Sequence, residues 1–272
     1  MGGGPADKML IVLPFREPKA IIDRIRKQHP NIEITFVHLK FAEVAWKTYK
    51  EVPKGAILPS YSSAGYSLNY SQLTPSAPEI YKDKTILVTL SALPPTPEDC
   101  PHLELIHFFS AGTNHIANHP IYTDTKITLT TSSGIHGPQI AEWVVMTALV
   151  QSHHYNKLYE LQKQKRWGKN DIDGDYHRVR DLVGQRLGVL GYGSIGRQVG
   201  RVAKAMGMDV IAYTATPKDT PEKRRDKGFV VPGTGDPDGS IPSSWYSGLD
   251  RESLHHFLKQ DIDVLLVSVP LT

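Results

Sequence analysis

Residues 187–214 read LGVLGYGSIGRQVGRVAKAMGMDVIAYT, and this stretch decides the fold. A short apolar run, 187–190, leads straight into Gly191-Tyr192-Gly193-Ser194-Ile195-Gly196. Ile195, Val199, Val202, Ala203 and Met206 then recur at helical spacing, Gly207 is placed to end the helix, and MDVIAY (208–213) reads as a second strand. Each glycine has its own task in such a unit. Gly191 allows the tight turn, Gly193 lets the backbone approach a pyrophosphate, and Gly196 lets the helix sit close to the strand. The pyrophosphate would rest on the helix N-terminus, where free N–H groups and the positive dipole end favour an anion. A lone GxGxxG is a weak signal, because glycine turns open many helices for structural reasons alone. Here the preceding strand, the following helix and the second strand are all present, so the stretch reads as a dinucleotide site.

The ribose partner departs from the usual pattern. Discrimination for NAD places an Asp or Glu at the end of the second strand, and this chain has Thr214 there. Asp209 comes too early and Asp219 too late. With no carboxylate to repel a 2′-phosphate, and with Lys218, Lys223, Arg224 and Arg225 close in sequence, the reading favours NADP over NAD. The bland alternative for those charges is a solvated helix face.

Toward the C-terminus, DIDVLLVSVPLT (261–272) is an almost unbroken β-branched run, the pattern of a strand buried on both faces of a parallel sheet. Four strands are thus expected in this half, at 187–190, 209–213, 229–231 and 263–268. In the order 3-2-1-4-5-6 the last belongs in the middle, and as an edge it would expose apolar surface. The expectation is a polypeptide of poor solubility on its own, or one rescued by dimerisation. Upstream, 138–167 shows Ile140, Trp143, Val144, Thr147, Leu158 and Leu161 at helical spacing behind Pro138. It predicts one helix of about 25 residues, about 38 Å long, followed by a loop over 168–185.

In the N-terminal part, apolar runs at 9–14, 32–39, 84–90, 103–110 and 126–132 read as strands, with an amphipathic helix at 17–29. This rhythm argues for parallel βαβ units in an open α/β sheet. The segment 52–78, rich in Ser, Tyr, Pro and Gly and without a clear period, reads as a long surface loop or insertion.

Composition narrows the classes of function. The 272 residues are 40% apolar and 22% charged, with a formal net charge of +3, which gives no reason to invoke nucleic acid or an acidic membrane. No segment approaches the roughly 18 apolar residues of a membrane span. Gly2 is followed by Ala6 where a myristoylation signal needs Ser or Thr, and the sequon at Asn69 reads as a chance match. Cys100 is the single cysteine, so no intrachain disulfide or Cys-based metal site is expected, and a reducing, cytoplasmic setting is the default. His115 and His119 lie four apart without a third ligand, so no metal site is assigned. No nucleophile elbow or Walker phosphate loop is present.

Several stretches together resemble the D-isomer-specific 2-hydroxyacid dehydrogenases. They are LVGQRLGVLGYGSIGRQVGRVAKAMGMDVIAY (182–213), LELIHFFSAGTNHI (103–116), ITLTTSSGIHGPQIAEWVV (127–145) and VSVPLT (267–272). The motifs recur in the family's order and cover most of the chain from about residue 84, whereas the N-terminal third matches by strand order alone. The resemblance implies an α/β fold: a flavodoxin-like substrate domain (1–137), a long interdomain helix and linker (138–185), and an incomplete Rossmann-like NAD(P)-binding domain (186–272).

It further implies that Ser91, Ala92 and Gly112 face a small 2-oxo or 2-hydroxy acid, with backbone N–H groups receiving its carboxylate. By the same resemblance Ile140 lies near the nicotinamide, Ser194 and Ile195 cover the pyrophosphate, and Val269, Pro270 and Thr272 line the adenosine side. A homodimer packed through the long helices is implied as well. The family's catalytic Arg, Glu and His lie downstream of the segment matching VPLT, so no catalytic residue is assigned, and the expectation is a chain that stops before them. Two alternatives stay open: a dinucleotide-binding module without catalysis, and a truncated product without function.

Overall fold

The computed structural model describes residues 7–39, 78–167 and 179–270. The expectations for nearly all of the 52–78 loop, for Asn69, for most of the 168–185 loop and for Thr272 fall outside the described residues. The chain forms two compact units, Met1–Ser132 and Ser133–Thr272.

The first unit is built on five strands, β1 (Lys8–Leu13), β2 (Glu33–His38), β3 (Ile86–Thr89), β4 (Leu105–Phe108) and β5 (Thr128–Thr131). All pairings are parallel and the spatial order is β2-β1-β3-β4-β5, the flavodoxin-like arrangement. Alternation along each strand divides the side chains between two faces. Leu10, Leu87 and Ile106 lie in register across three strands and are fully buried, in one core with Val12, Phe108, Tyr81 and Ile121. Ile11 and Leu13 turn to the other face, where they pack with Ile22, the one buried residue of helix α1 (Lys19–Gln28). A short helix α2 (Pro120–Thr123) is capped by His119, whose Nδ1 accepts from the Ile121 N–H.

The second unit carries helices α3 (Gly137–Ser152), α4 (Tyr155–Lys163), α5 (Ser194–Ala205), α6 (Pro221–Arg224) and α7 (Arg251–Leu258). Its sheet contains β6 (Arg186–Leu190), β7 (Asp209–Thr214), β8 (Ser244–Ser247) and β9 (Val264–Val267), all parallel, in the order β8-β7-β6-β9. Counted within this sheet the order is 3-2-1-4, as in a Rossmann fold. Leu187, Val189, Val210 and Ala212 are buried against Val199 and Ala203 of α5, while Ile211 and Tyr213 meet Phe257 of α7 on the other face. Gly137 and Ala141 bring α3 close to α5. A Cβ on Gly137 would stand 3.2 Å from the Gln198 Cβ and the Ser194 oxygen.

Three expectations are corrected here. The third strand is 244–247 and not 229–231. Residues 229–231 carry only three apolar side chains between Gly228 and Pro232-Gly233, and Phe229 is 59% exposed. Trp245 instead supplies the anchor, packing on the core and edge-on to Tyr192 at 5.1 Å. The predicted single helix over 138–167 is two, because His154 adopts φ 52° and the His153 N–H closes α3 onto the Leu149 oxygen. Finally, β9, whose pattern reads as a strand buried on both faces, is covered on one face only, and at the edge it exposes apolar surface as expected for that position. Val264 and Leu266 pack inward, whereas Leu265 and Val267 are 43% and 60% exposed. Among the described residues no helix is long and apolar enough to cross a membrane.

Candidate dinucleotide site

The site begins where β6 ends. Gly191 takes φ 99°, a conformation that glycine adopts without strain. A Cβ there would come within 2.7 Å of the Ser268 oxygen, so side-chain absence is demanded twice. The Gly191 N–H donates to the Tyr213 oxygen at 3.0 Å, and Ser268 Oγ donates to the Gly191 oxygen at 2.7 Å. The ends of β6, β7 and β9 are therefore tied together at the turn. A Cβ on Gly196 would collide with the Gly191 oxygen and with Val189, which makes this glycine the helix–strand spacer.

Gly193 differs from both. It is the N-cap of α5 at φ −86° and ψ −160°, and a Cβ built on it meets nothing within 4 Å. Packing inside the protein gives no reason for a glycine at this position; the space in front of it does. No side chain caps α5 and no acidic residue sits in its first turn. Among the described residues its first amides thus have no acidic side-chain partner at the positive end of the helix dipole, the arrangement a pyrophosphate needs. The residues present fit a dinucleotide.

Beside this turn lies a cavity of about 610 Å³ walled by Tyr192, Gly193 and Arg197, by residues 216–219, and by Lys223 and residues 225–228. That volume falls within the range of small-molecule sites. Five basic side chains line it (Arg197, Lys218, Lys223, Arg225, Lys227) against two acidic ones (Asp219, Asp226). Lys223 Nζ is 2.8 Å from Asp219 Oδ1, and this hydrogen bond holds the Asp219 carboxyl below its ordinary pKa. Thr214, at the end of β7, donates its hydroxyl to the Thr216 oxygen at 2.8 Å. Arg224 is turned away from the cavity. Its Nε donates to the Lys218 oxygen at 2.8 Å and its guanidinium lies 6.0 Å from the Trp245 ring.

Sequence reasoning missed Lys227 and Arg197. The signal for Arg197 was available in principle, since it falls on the buried stripe of α5 with Gly196, Val199, Gly200 and Ala203. Burial, then the neighbouring Asp236 carboxylate, pushes the Tyr192 hydroxyl well above the ordinary phenol range.

Of the other expected residues in this unit, Ser194 and Ile195 lie half-buried in the first turn of α5, and Ile140 lies half-buried in α3. Val269 is 50% exposed, and its nitrogen is 2.9 Å from where a Gly191 Cβ would stand, so it borders the glycine turn. Pro270 follows it and is exposed. In the first unit Ser91 and Ala92 are buried, and the Ala92 N–H donates to Thr89 Oγ1 at 2.9 Å. Gly112 is exposed, and its oxygen accepts from Ser110 Oγ at 2.8 Å. Burial lowers the pKa of both His115 and His119. Among the described residues no group of three His, Cys, Asp or Glu side chains is placed to hold a metal.

Comparison with known proteins agrees with this geometry. A family model described as "D-isomer specific 2-hydroxyacid dehydrogenase, NAD binding domain" matches residues 145–231, which include the glycine turn and the cavity wall up to Gly228. A hydroxypyruvate reductase of Thermotoga maritima is 31% identical over 87 residues, 32% of this chain and 27% of that protein. A glyoxylate reductase of Thermococcus litoralis is 25% identical over 221 residues, 79% of this chain and 59% of that protein.

Residues 145–231 are thus similar to the NAD-binding domain of the D-isomer-specific 2-hydroxyacid dehydrogenases.

Solved structures share the fold of this chain. A family protein from Aeromonas salmonicida subsp. salmonicida superposes with a TM-score of 0.61 at 18% identity, over 98% of this chain and 65% of the other. A D-isomer specific 2-hydroxyacid dehydrogenase from Xanthobacter autotrophicus Py2, solved with NADPH and MES, gives 0.58 at 17% identity over 98% and 64%. The chain thus spans less than two thirds of the length of each of these four proteins.

Proposed function

We propose that this protein binds NADP in preference to NAD and acts as an oxidoreductase interconverting a small 2-oxo acid and a D-2-hydroxy acid. The observation that carries the reading is Gly193: a glycine with open space before it, at an uncapped helix start, beside a cavity lined mainly by cations. When bound, the nicotinamide supplies or accepts the hydride. The chain's own residues bind and orient. The α5 amides and the Gly193 backbone receive the pyrophosphate, Lys218, Arg225 and Lys227 receive a 2′-phosphate, and Val269 and Pro270 border the adenosine. The exposed turn at Gly112 in the flavodoxin-like unit receives the substrate carboxylate, whereas Ser91 and Ala92 are buried and the Ala92 N–H already donates to Thr89 Oγ1.

The proposed division into substrate-binding and dinucleotide-binding parts, and a cytoplasmic setting, accompany this reading. We also propose a homodimer through α3 and α4, whose large side chains are well exposed: Trp143 63%, Met146 47%, Tyr155 54% and Tyr159 46%. Sedimentation of wild type against Trp143→Glu tests it: wild type sediments as a dimer and the variant as a monomer. A monomeric wild type refutes the homodimer.

The decisive test of the function is calorimetric titration with NADPH and NADH, followed by turnover with glyoxylate and hydroxypyruvate. Tighter binding of NADPH with turnover supports the whole reading. Binding without turnover confines it to a dinucleotide-binding module, and binding of neither nucleotide removes it.

A further inference from the structure

We infer that Tyr192, Arg197 and Asp236 form a positioning cluster that fixes the cation-bearing wall of the cavity against the glycine turn and so sets selectivity for a 2′-phosphorylated dinucleotide. The inference rests on the dinucleotide reading above and assigns a role to the 229–241 segment, which that reading leaves without one.

Asp236 is 3% exposed although it carries a carboxylate. Its Oδ2 accepts from the Tyr192 hydroxyl at 3.0 Å and from the Ile241 N–H at 3.1 Å, and its Oδ1 accepts from the Ser240 N–H at 3.0 Å. The carboxylate therefore folds its own loop and holds the residue between Gly191 and Gly193. The Asp236 main-chain oxygen accepts from Nη1 of Arg197, itself 4% exposed. Arg197 reaches the cavity wall at two points. Nη2 donates to the Arg224 oxygen at 2.6 Å, and Nε lies 3.5 Å from Asp226 Oδ2. These points flank Arg225, and Lys227 follows at once. The Asp226 N–H closes the circuit by donating to the Pro237 oxygen at 2.8 Å.

One continuous chain of buried and half-buried polar contacts thus runs from the glycine turn to the segment bearing Arg225 and Lys227. The turn does not depend on it in return. Gly191 N–H to the Tyr213 oxygen, and Arg197 N–H to the Gly193 oxygen, are main-chain bonds that survive loss of any side chain. Loosening the cluster consequently moves the cations for a 2′-phosphate while leaving the pyrophosphate end in place. NADPH affinity falls, and NADH affinity changes little.

The test uses the full chain. Tyr192→Phe removes one hydroxyl yet keeps the ring that meets Trp245 edge-on and lies under the Arg197 guanidinium at 5.2 Å. Dissociation constants for NADPH and NADH are measured for wild type, Tyr192→Phe and Asp236→Asn. Loss of one hydrogen bond to a buried charge predicts NADPH binding weaker by about tenfold or more, with a smaller change for NADH. Equal weakening of both nucleotides, or a lower melting midpoint with unchanged selectivity, marks the cluster as merely structural and overturns the inference.

Should both variants fail to fold, hydrogen exchange on wild type decides. Adenosine 2′,5′-bisphosphate is expected to slow exchange across 224–241, and protection confined to the glycine turn overturns the inference. Wild type that binds neither nucleotide defeats the dinucleotide reading itself, an outcome distinct from unchanged selectivity.

Discussion

Gly193→Ala separates a glycine required by a ligand from one required by the fold. A Cβ at residue 193 meets nothing within 4 Å, and the backbone there is already at φ −86°. The change restricts the unfolded chain, a gain of about 0.4–1 kcal/mol, and replaces a good N-cap residue by a poor one, a loss of similar size. Folded stability should therefore stay within about 1 kcal/mol, or roughly 4 °C in melting midpoint for a chain of this size. Gly196→Ala forces a methyl against the Gly191 oxygen and Val189, and overpacking of this kind costs about 1–3 kcal/mol. For nucleotide binding the order reverses. A methyl at 193 keeps the pyrophosphate from the backbone and forfeits at least one hydrogen bond to a charged group, about 1.5–3 kcal/mol, or about 10- to 150-fold in Kd. Differential scanning calorimetry and nucleotide titration on the two variants read both quantities. The reasoning fails if Gly193→Ala lowers the midpoint as much as Gly196→Ala, or if it binds NADPH as tightly as wild type.

Two further outcomes concern the first unit. Hydrogen bonds from Lys8 and then Lys84 hold the Asp83 carboxyl down at about 2. A carboxylate depressed in the folded state contributes stability that is present above its unfolded pKa of about 4 and lost as pH falls through the folded value. Asp83→Asn should accordingly flatten the acid limb of the stability profile between roughly pH 4 and pH 2, by a modest amount because the side chain is 52% exposed and solvent-screened. An unchanged slope in acid urea titrations contradicts the assignment. Burial, then the charges of Asp99 and Glu98, pushes the Cys100 thiol up to about 11, and the residue is 3% exposed. Thiolate is the reactive form, so Ellman's reagent at near-neutral pH should label Cys100 only after the unit opens; rapid labelling of native protein contradicts this burial.

Much of the fold was legible because its causes are local. Eight of the nine strands among the described residues were located from short-range apolar patterning, with ends that shift by one or two residues, as between the expected 84–90 and β3 at Ile86–Thr89. The exception, β8, has serines at both ends and only Trp245 and Tyr246 between them, so its pattern resembles a loop. It becomes a strand because Ile211, Ala212, Tyr213 and Thr214 of β7 offer a parallel ladder more than thirty residues away in sequence. The break between α3 and α4 likewise has no glycine or proline to announce it.

By itself the sequence determined the parallel α/β class, the glycine turn and the two helix-forming faces around it. A positive φ, a missing Cβ and a period of 3.6 residues are properties of neighbours in the chain. Only the tertiary structure decided which cations meet the cavity. It turned Arg224 onto Trp245, brought Lys227 and Arg197 to the wall, and joined Tyr192 to Asp236 across 44 residues. Those placements depend on where a distant loop folds back, because the direction of a charged side chain is set by the partners that loop delivers.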